Sequence, residues 1–147
     1  MRAILAVLIV ACFVSVLRAQ GSPAPAAGGL DALVQKLRQA PGDEALRARI
    51  IKLALKSKPK TPEEAKRHMG RAKAFVELAT GPSDYGKAVA ELDEALGAAP
   101  WLASAYYNKG LSLEKMKQYP AAQAAFKDYL LASPDAARLI AALNTEL

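Results

Sequence analysis

Apolar residues recur along most of the 147-residue chain at the spacing of amphipathic helices. From Tyr85 to Ala99 they fall at i, i+3, i+4, i+7, i+10, i+11 and i+14, which is one stripe of a helix with about 3.6 residues per turn. The segment from Trp101 to Lys117 and the segment that begins at Tyr119 carry similar stripes. The pattern predicts an all-α domain over residues 30–147, with seven helices paired as antiparallel hairpins.

The amino-terminal part of this domain predicts a hairpin of its own over residues 30–60. Asp43 is a favourable N-cap for the second helix of the hairpin. A basic connector, KSKPK, follows at residues 56–60, and Pro59 keeps it from being helical. The residues predicted to share the apolar face of the second helix are Leu46, Ile50 and Leu53.

A capping box is predicted at Thr61-Pro62-Glu63-Glu64, with proline at the first helical position. The helix that it opens runs to about Ala79 and carries the only histidine, His68, which we expect to be a solvated helix residue. Residues 135–146 form the last predicted helix, which has one apolar side and suits a carboxy-terminal cap.

Two stretches of the chain repeat one pattern at an offset of 34 residues. Tyr119, Ala122, Phe126 and Pro134 repeat Tyr85, Ala88, Leu92 and Pro100. A helix–turn–helix unit of this length resembles the tetratricopeptide repeat. The residues of the second unit that carry the resemblance are Tyr106, Asn108, Gly110, Leu113, Tyr119, Ala122, Phe126 and Pro134.

The resemblance implies a short α-solenoid with two repeats, at 69–102 and 103–136. Residues 30–60 are then a degenerate or capping hairpin, and residues 137–147 are a capping helix, because terminal repeats of solenoids are atypical. Small Ala88 and Ala122 stand where two helix backbones approach each other.

In the family that the chain resembles, the first helix of each repeat lines a concave groove that takes a peptide or a partner helix. Lys73, Asn108 and Arg138 also resemble three positions of a clamp for a terminal carboxylate, although Glu77 and Ala142 depart from that clamp. Polar groove residues without a clamp are the alternative. The residues implied to line the groove are Lys73, Glu77, Ser104, Tyr107, Asn108, Leu111, Lys115 and Arg138.

Tyr107 and Leu111 are the strongest candidates for partner contact. They are four residues apart, so they share a face of their helix, while Tyr106, Gly110 and Leu113 supply its core stripe. An apolar face directed away from the core stripe needs another apolar surface, which is either a partner or the second helix of the first repeat.

Residues 1–19 read as a secretory signal, with Arg2 before an apolar run from Ala3 to Leu17. Two alternatives are an uncleaved anchor and lipoprotein processing at Cys12. Residues 20–29 (QGSPAPAAGG) predict a disordered linker. Cys12 is the only cysteine, so a chain cleaved near Ala19 has no disulfide, and we expect an exported protein that is periplasmic or secreted.

The net charge of +6 is unevenly distributed. Residues 31–75 hold 12 Lys and Arg against 5 Asp and Glu, a balance of +7, whereas residues 76–147 hold 6 against 9, a balance of −3. Such an asymmetry can steer an acidic partner towards the basic end. The alternative is that these cations only solvate helix faces.

The sequence contains no motif that favours an enzyme. One histidine and one cysteine cannot form a metal cluster, no phosphate-binding loop surrounds the glycines, and we expect no cofactor. The basic half lacks interleaved aromatic residues, so we expect no nucleic acid partner. We expect membrane association only if the amino-terminal segment is uncleaved or Cys12 is lipidated.

The function that these observations predict is that of an exported, non-enzymatic scaffold or adaptor, which binds a protein or peptide in its groove and can take part in an envelope assembly. The alternative is a structural subunit that associates with copies of itself and has no such groove function.

Overall fold

The computed structural model describes residues 25–145, and every regular element in this range is an α-helix. This confirms the predicted all-α class. The predicted signal, the first part of the linker and the last two residues lie outside the described range. The helices are α1 (Pro25–Gln39), α2 (Glu44–Ser57), α3 (Glu63–Glu77), α4 (Pro82–Ala98), α5 (Ala103–Lys115), α6 (Tyr119–Ala132) and α7 (Pro134–Thr145).

Helix α1 begins at Pro25, five residues before the predicted start at Leu30. Residues 25–29 of the predicted linker therefore belong to the helix. Proline fits the first turn of a helix, where its missing N–H has no helical partner to lose, and alanines 26 and 27 favour the helix that follows.

The predicted start and stop signals of α2 and α3 are met in part. Asp43 caps α2 as predicted, since its Oδ1 accepts a hydrogen bond of 2.9 Å from the Leu46 N–H. Lys58 ends α2 in the left-handed conformation, with φ of 47°. The predicted capping box is wrong: Pro62 itself occupies the N-cap position of α3, no side chain bonds to the cap, and Thr61 lies outside the helix.

Two helical hairpins form the centre of the described structure. α3 packs along α4, α5 packs along α6, and α4 joins the two hairpins by packing on α5. Leu113, Ala122 and Ala125 are buried between α5 and α6, where Phe126 and Val89 pack against them. Ala88 and Leu92 of α4 are fully buried. Both small residues of the repeated pattern, Ala88 and Ala122, therefore lie at close helix contacts.

The amino-terminal hairpin of α1 and α2 packs against α4 and α6. Two adjacent isoleucines fix it in place. Ile50 joins a cluster of α1 residues, and Ile51 enters the main core beside Leu92, Leu96 and Tyr106. Helix α7 packs on α6 at the other end of the chain.

The predicted apolar face of α2 is confirmed at Ile50, which is fully buried, and at Leu46, which packs against the same cluster, but it is wrong at Leu53. Ile51 is fully buried, whereas Leu53 is 39% exposed. Since residues 50 and 51 are both isoleucine, the local pattern allows two buried faces. Ile51 packs into the main core and Ala54 packs with Ile50 against α1, so the buried face includes these residues rather than Leu53.

Candidate protein-binding surface

The predicted groove residues are distributed over three helices, and all of them are exposed. Because α4 packs between α3 and α5, and α6 packs against α5 and α7, the three helices alternate with the helices that support them. They are Lys73 and Glu77 on α3, Ser104, Tyr107, Asn108, Leu111 and Lys115 on α5, and Arg138 on α7.

Tyr107 is the centre of an aromatic cluster on this surface. Its ring centroid lies 5.2 Å from that of Tyr129 and 6.1 Å from that of Phe126, at interplanar angles of 51° and 58°. These tilted geometries are typical of favourable aromatic pairs. Both neighbours belong to α6, so the rings that hold Tyr107 come from the second helix of its own hairpin.

Tyr107 nevertheless remains 44% exposed, and Leu111, one turn further along α5, is 38% exposed. The two side chains therefore form an apolar surface that is accessible to solvent, and the rings of Phe126 and Tyr129 support Tyr107. Rigid aromatic residues with exposed apolar neighbours are common at protein interfaces.

Three of the four charged residues of the predicted groove, Lys73, Glu77 and Arg138, are paired within their own helices. Lys73 Nζ lies 3.6 Å from Glu77 Oε1, and Arg138 Nη1 lies 3.5 Å from Asp135 Oδ1. Both pairs are strongly exposed, so water screens them and each contributes little to stability. The two cations are available to an incoming acidic group at small cost.

A cleft of about 830 Å³ lies elsewhere, between the amino-terminal hairpin and helices α4, α5 and α6. Two ion pairs line it. Lys109 Nζ lies 2.6 Å from Asp93 Oδ1, and Arg47 Nη1 lies 3.2 Å from Asp128 Oδ2. This cleft could not be predicted from the sequence, because the residues of its two ion pairs lie far apart along the chain and carry no local motif.

Burial governs the electrostatics of the cleft. It raises the pKa of the Asp128 carboxyl above its ordinary value, although the neighbouring Arg47 guanidinium acts in the opposite direction. It also raises the pKa of the Tyr106 hydroxyl, which donates a hydrogen bond of 2.9 Å to the Pro100 carbonyl. The cleft thus presents two ion pairs and a tyrosine that stays protonated.

The prediction for His68 is wrong. Its side chain is only 17% exposed, and its Nδ1 lies 2.6 Å from Glu91 Oε2 on α4. Arg71 also approaches Glu91, at 3.8 Å. The histidine therefore links α3 to α4. A solvated residue was expected because nothing in the local sequence indicates that α4 carries a carboxylate at this position.

No group of three or more His, Cys, Asp and Glu side chains is arranged to hold a metal ion within the part of the chain that the structure describes. Among the same residues, no helix has both the length and the apolar character needed to cross a membrane.

Comparison of the chain with protein-family models, with curated proteins and with solved structures gave no match. The tetratricopeptide resemblance therefore stays a prediction from the residues that carry it.

Proposed function

We propose that this chain is a short tetratricopeptide-like solenoid that binds a protein or peptide partner and acts as a non-enzymatic scaffold or adaptor. The repeated packing supports this proposal. Ala88 and Leu92 in α4, and Ala122 and Phe126 in α6, occupy equivalent positions of two successive hairpins. Stacked hairpins of this kind create extended surfaces for binding.

The observation that carries the binding function is the exposed pair of Tyr107 and Leu111. A tyrosine held against two aromatic rings loses little further conformational freedom when a partner covers it. The position of Tyr107 is therefore preorganised for binding, and the apolar area of the surface favours a partner with apolar side chains.

The polar groove residues supply the rim of the proposed surface. Lys73 on α3, Lys115 on α5 and Arg138 on α7 are exposed cations on the three alternate helices that carry the predicted groove residues. We propose that they orient a peptide that carries acidic groups, while Tyr107 and Leu111 supply the contact area. The predicted amino-terminal signal supports an exported site of action, in the periplasm or outside the cell.

The test is a double variant, Tyr107→Ala with Leu111→Ser, immobilised beside the unchanged protein and used to capture partners from the envelope fraction of the source organism. Captured proteins are then purified and their dissociation constants measured for both forms. We expect the double variant to lose at least tenfold in affinity, while its melting temperature changes little.

A matched control removes one tyrosine and one leucine from other surfaces. Tyr119 is 57% exposed, and Leu55 is 38% exposed, the same value as Leu111. Tyr119→Ala with Leu55→Ser should leave capture unchanged. The proposal fails if the control loses capture equally, or if the Tyr107 and Leu111 variant melts many degrees lower, which would show that these residues are needed for folding.

A second candidate function is self-association, and one observation favours it. Leu139 and Ile140 on α7 are 64% and 44% exposed at the carboxy-terminal end of the helical array. A second copy that covered them would make the chain a structural subunit. Light scattering on the purified protein separates the candidates, because only self-association gives a stable dimer without a partner, and Leu139→Ser with Ile140→Ser should then dissociate it.

A further inference from the structure

The outward face of α2 and the connector after it carry an unusual concentration of positive charge. Between residues 45 and 62 the chain has six cations and no Asp or Glu. One of them, Arg47, pairs with Asp128 on the inward side of α2. The other five are exposed and form no salt bridge with the residues that the structure describes; they are Arg49, Lys52, Lys56, Lys58 and Lys60.

The helix arranges these cations as one surface, which we call the cationic face. Arg49, Lys52 and Lys56 follow one another at i, i+3 and i+7, so they lie along one side of α2. The buried residues Ile50, Ile51 and Ala54 occupy the opposite side. Lys58 ends the helix in the left-handed conformation, and Lys60 follows in the connector, so both extend the cationic face beyond the helix.

Leu53 lies within the same stripe, at i+4 from Arg49, and is 39% exposed. The cationic face therefore combines a row of positive charges with an accessible apolar side chain. This combination is typical of protein surfaces that lie on a lipid headgroup layer, where cations meet anionic lipids and an apolar group enters the boundary with the acyl chains.

We propose that the cationic face binds the surface of a bilayer that contains anionic lipids. The kind of cation favours this occupant. Four of the five are lysine, whose ammonium is a compact point charge without the bidentate geometry that arginine offers to a single carboxylate or phosphate. Five such charges match a diffuse negative surface better than one defined anionic group. Residues 45–62 also include no aromatic side chain on which nucleic acid bases could stack.

This inference does not depend on the proposed function, because the cationic face and the Tyr107 surface lie on different helices. It also differs from anchoring by the amino-terminal segment. A bilayer surface would hold the folded domain through α2, and the attraction would be electrostatic and would weaken as salt is added.

The experiment measures sedimentation of the full chain with two kinds of vesicle, phosphatidylcholine alone and phosphatidylcholine mixed with phosphatidylglycerol. The test variant is Lys52→Gln with Lys56→Gln. The matched control is Lys117→Gln with Lys127→Gln, which removes two lysines that are also exposed and outside every ion pair of the described residues. Every form keeps the same amino-terminal segment, so any binding by that segment is common to all.

We expect the unchanged chain and the control to bind the mixed vesicles more strongly than the neutral ones. Loss of one cation near an anionic membrane weakens binding about fivefold. The test variant loses two, so it should bind the mixed vesicles about 25-fold more weakly. Leu53→Ser should weaken binding further without changing its dependence on salt. Circular dichroism confirms that each variant remains helical.

Three outcomes would overturn the proposal. Equal binding to both kinds of vesicle would show that charge is not the cause. Equal loss in the test and control variants would show that net charge, rather than the cationic face, is responsible. Binding of polyglutamate, with no binding to the mixed vesicles, would assign the cationic face to an acidic polypeptide instead.

Discussion

Gly110 of α5 lies against the ring of Phe126 in α6 so closely that a Cβ atom on residue 110 would stand 2.5 Å from the Cε1 of that ring. The absence of a side chain at residue 110 therefore permits the close packing of α5 on α6. The same ring contacts Tyr107, so this packing also supports the proposed binding surface.

Gly110→Ala is expected to destabilise the protein. Displacing the Phe126 ring costs about 1–3 kcal/mol, and the better helix propensity of alanine offsets about 1 kcal/mol of that cost. We expect a net fall of about 1 kcal/mol in the free energy of unfolding, measured by denaturation in urea. Gly70→Ala in α3 is the control, because nothing lies within 4 Å of its added Cβ, and it should be stabilising. An equal gain in both variants would contradict the packing role of Gly110.

Ala122→Leu should overfill the same helix contact. Ala122 is 4% exposed and packs beside Leu113 and Ala125, so three additional carbon atoms have no space without moving α5. The free energy of unfolding should fall by about 1–3 kcal/mol. Ala90→Leu, at an exposed position of α4, is the control and should have little effect. A neutral result for Ala122→Leu would mean that α6 is rotated relative to the packing described.

Asp128→Asn should stabilise the protein at neutral pH. Burial raises the pKa of this carboxyl in the folded state, so the folded state disfavours its ionised form. The contribution of Asp128 to stability is therefore greatest below the ordinary pKa of an aspartate and is lost as the pH rises through the raised value. Asparagine keeps an acceptor for Arg47 and cannot ionise. The gain should disappear at low pH, as measured by thermal unfolding across a pH series.

The matched change on the other side of this pair is Arg47→Met. It removes the cation but keeps an apolar stem, which leaves the partly buried Asp128 without its ion pair. We expect a loss of about 1–3 kcal/mol at neutral pH, where Asp128 must ionise without a partner. If Asp128→Asn were as destabilising as Arg47→Met, attraction to Arg47 would outweigh burial in setting the pKa of Asp128.

The helices of this protein could be predicted from the sequence because each depends on contacts within a few residues. The 3.6-residue stripe of α4, the Asp43 cap and the proline at the start of α7 are local features, and the structure contains each of them. The small residues of the repeated pattern were also informative. Alanine at positions 88 and 122 indicated close helix contacts, and both residues are buried.

The candidate binding surface was predictable only as a set of exposed positions. Tyr107 and Leu111 were recognised because they lie away from the core stripe of α5, and both are exposed. That Tyr107 would rest on Tyr129 and Phe126 could not be predicted, because those rings belong to a helix whose rotation depends on the packing at Gly110.

The sequence by itself determined where the helices form, since helix formation depends on periodicity, caps and prolines. The tertiary structure alone decided which of two possible faces α2 buries, that His68 bonds to Glu91, and that Arg47 meets Asp128 across 81 residues. The physical reason is that a local pattern leaves several arrangements of nearly equal energy. Contacts between residues far apart in the chain select one of them: Ile51 is fully buried beside Leu92, which removes its apolar surface from water, while Leu53 remains 39% exposed.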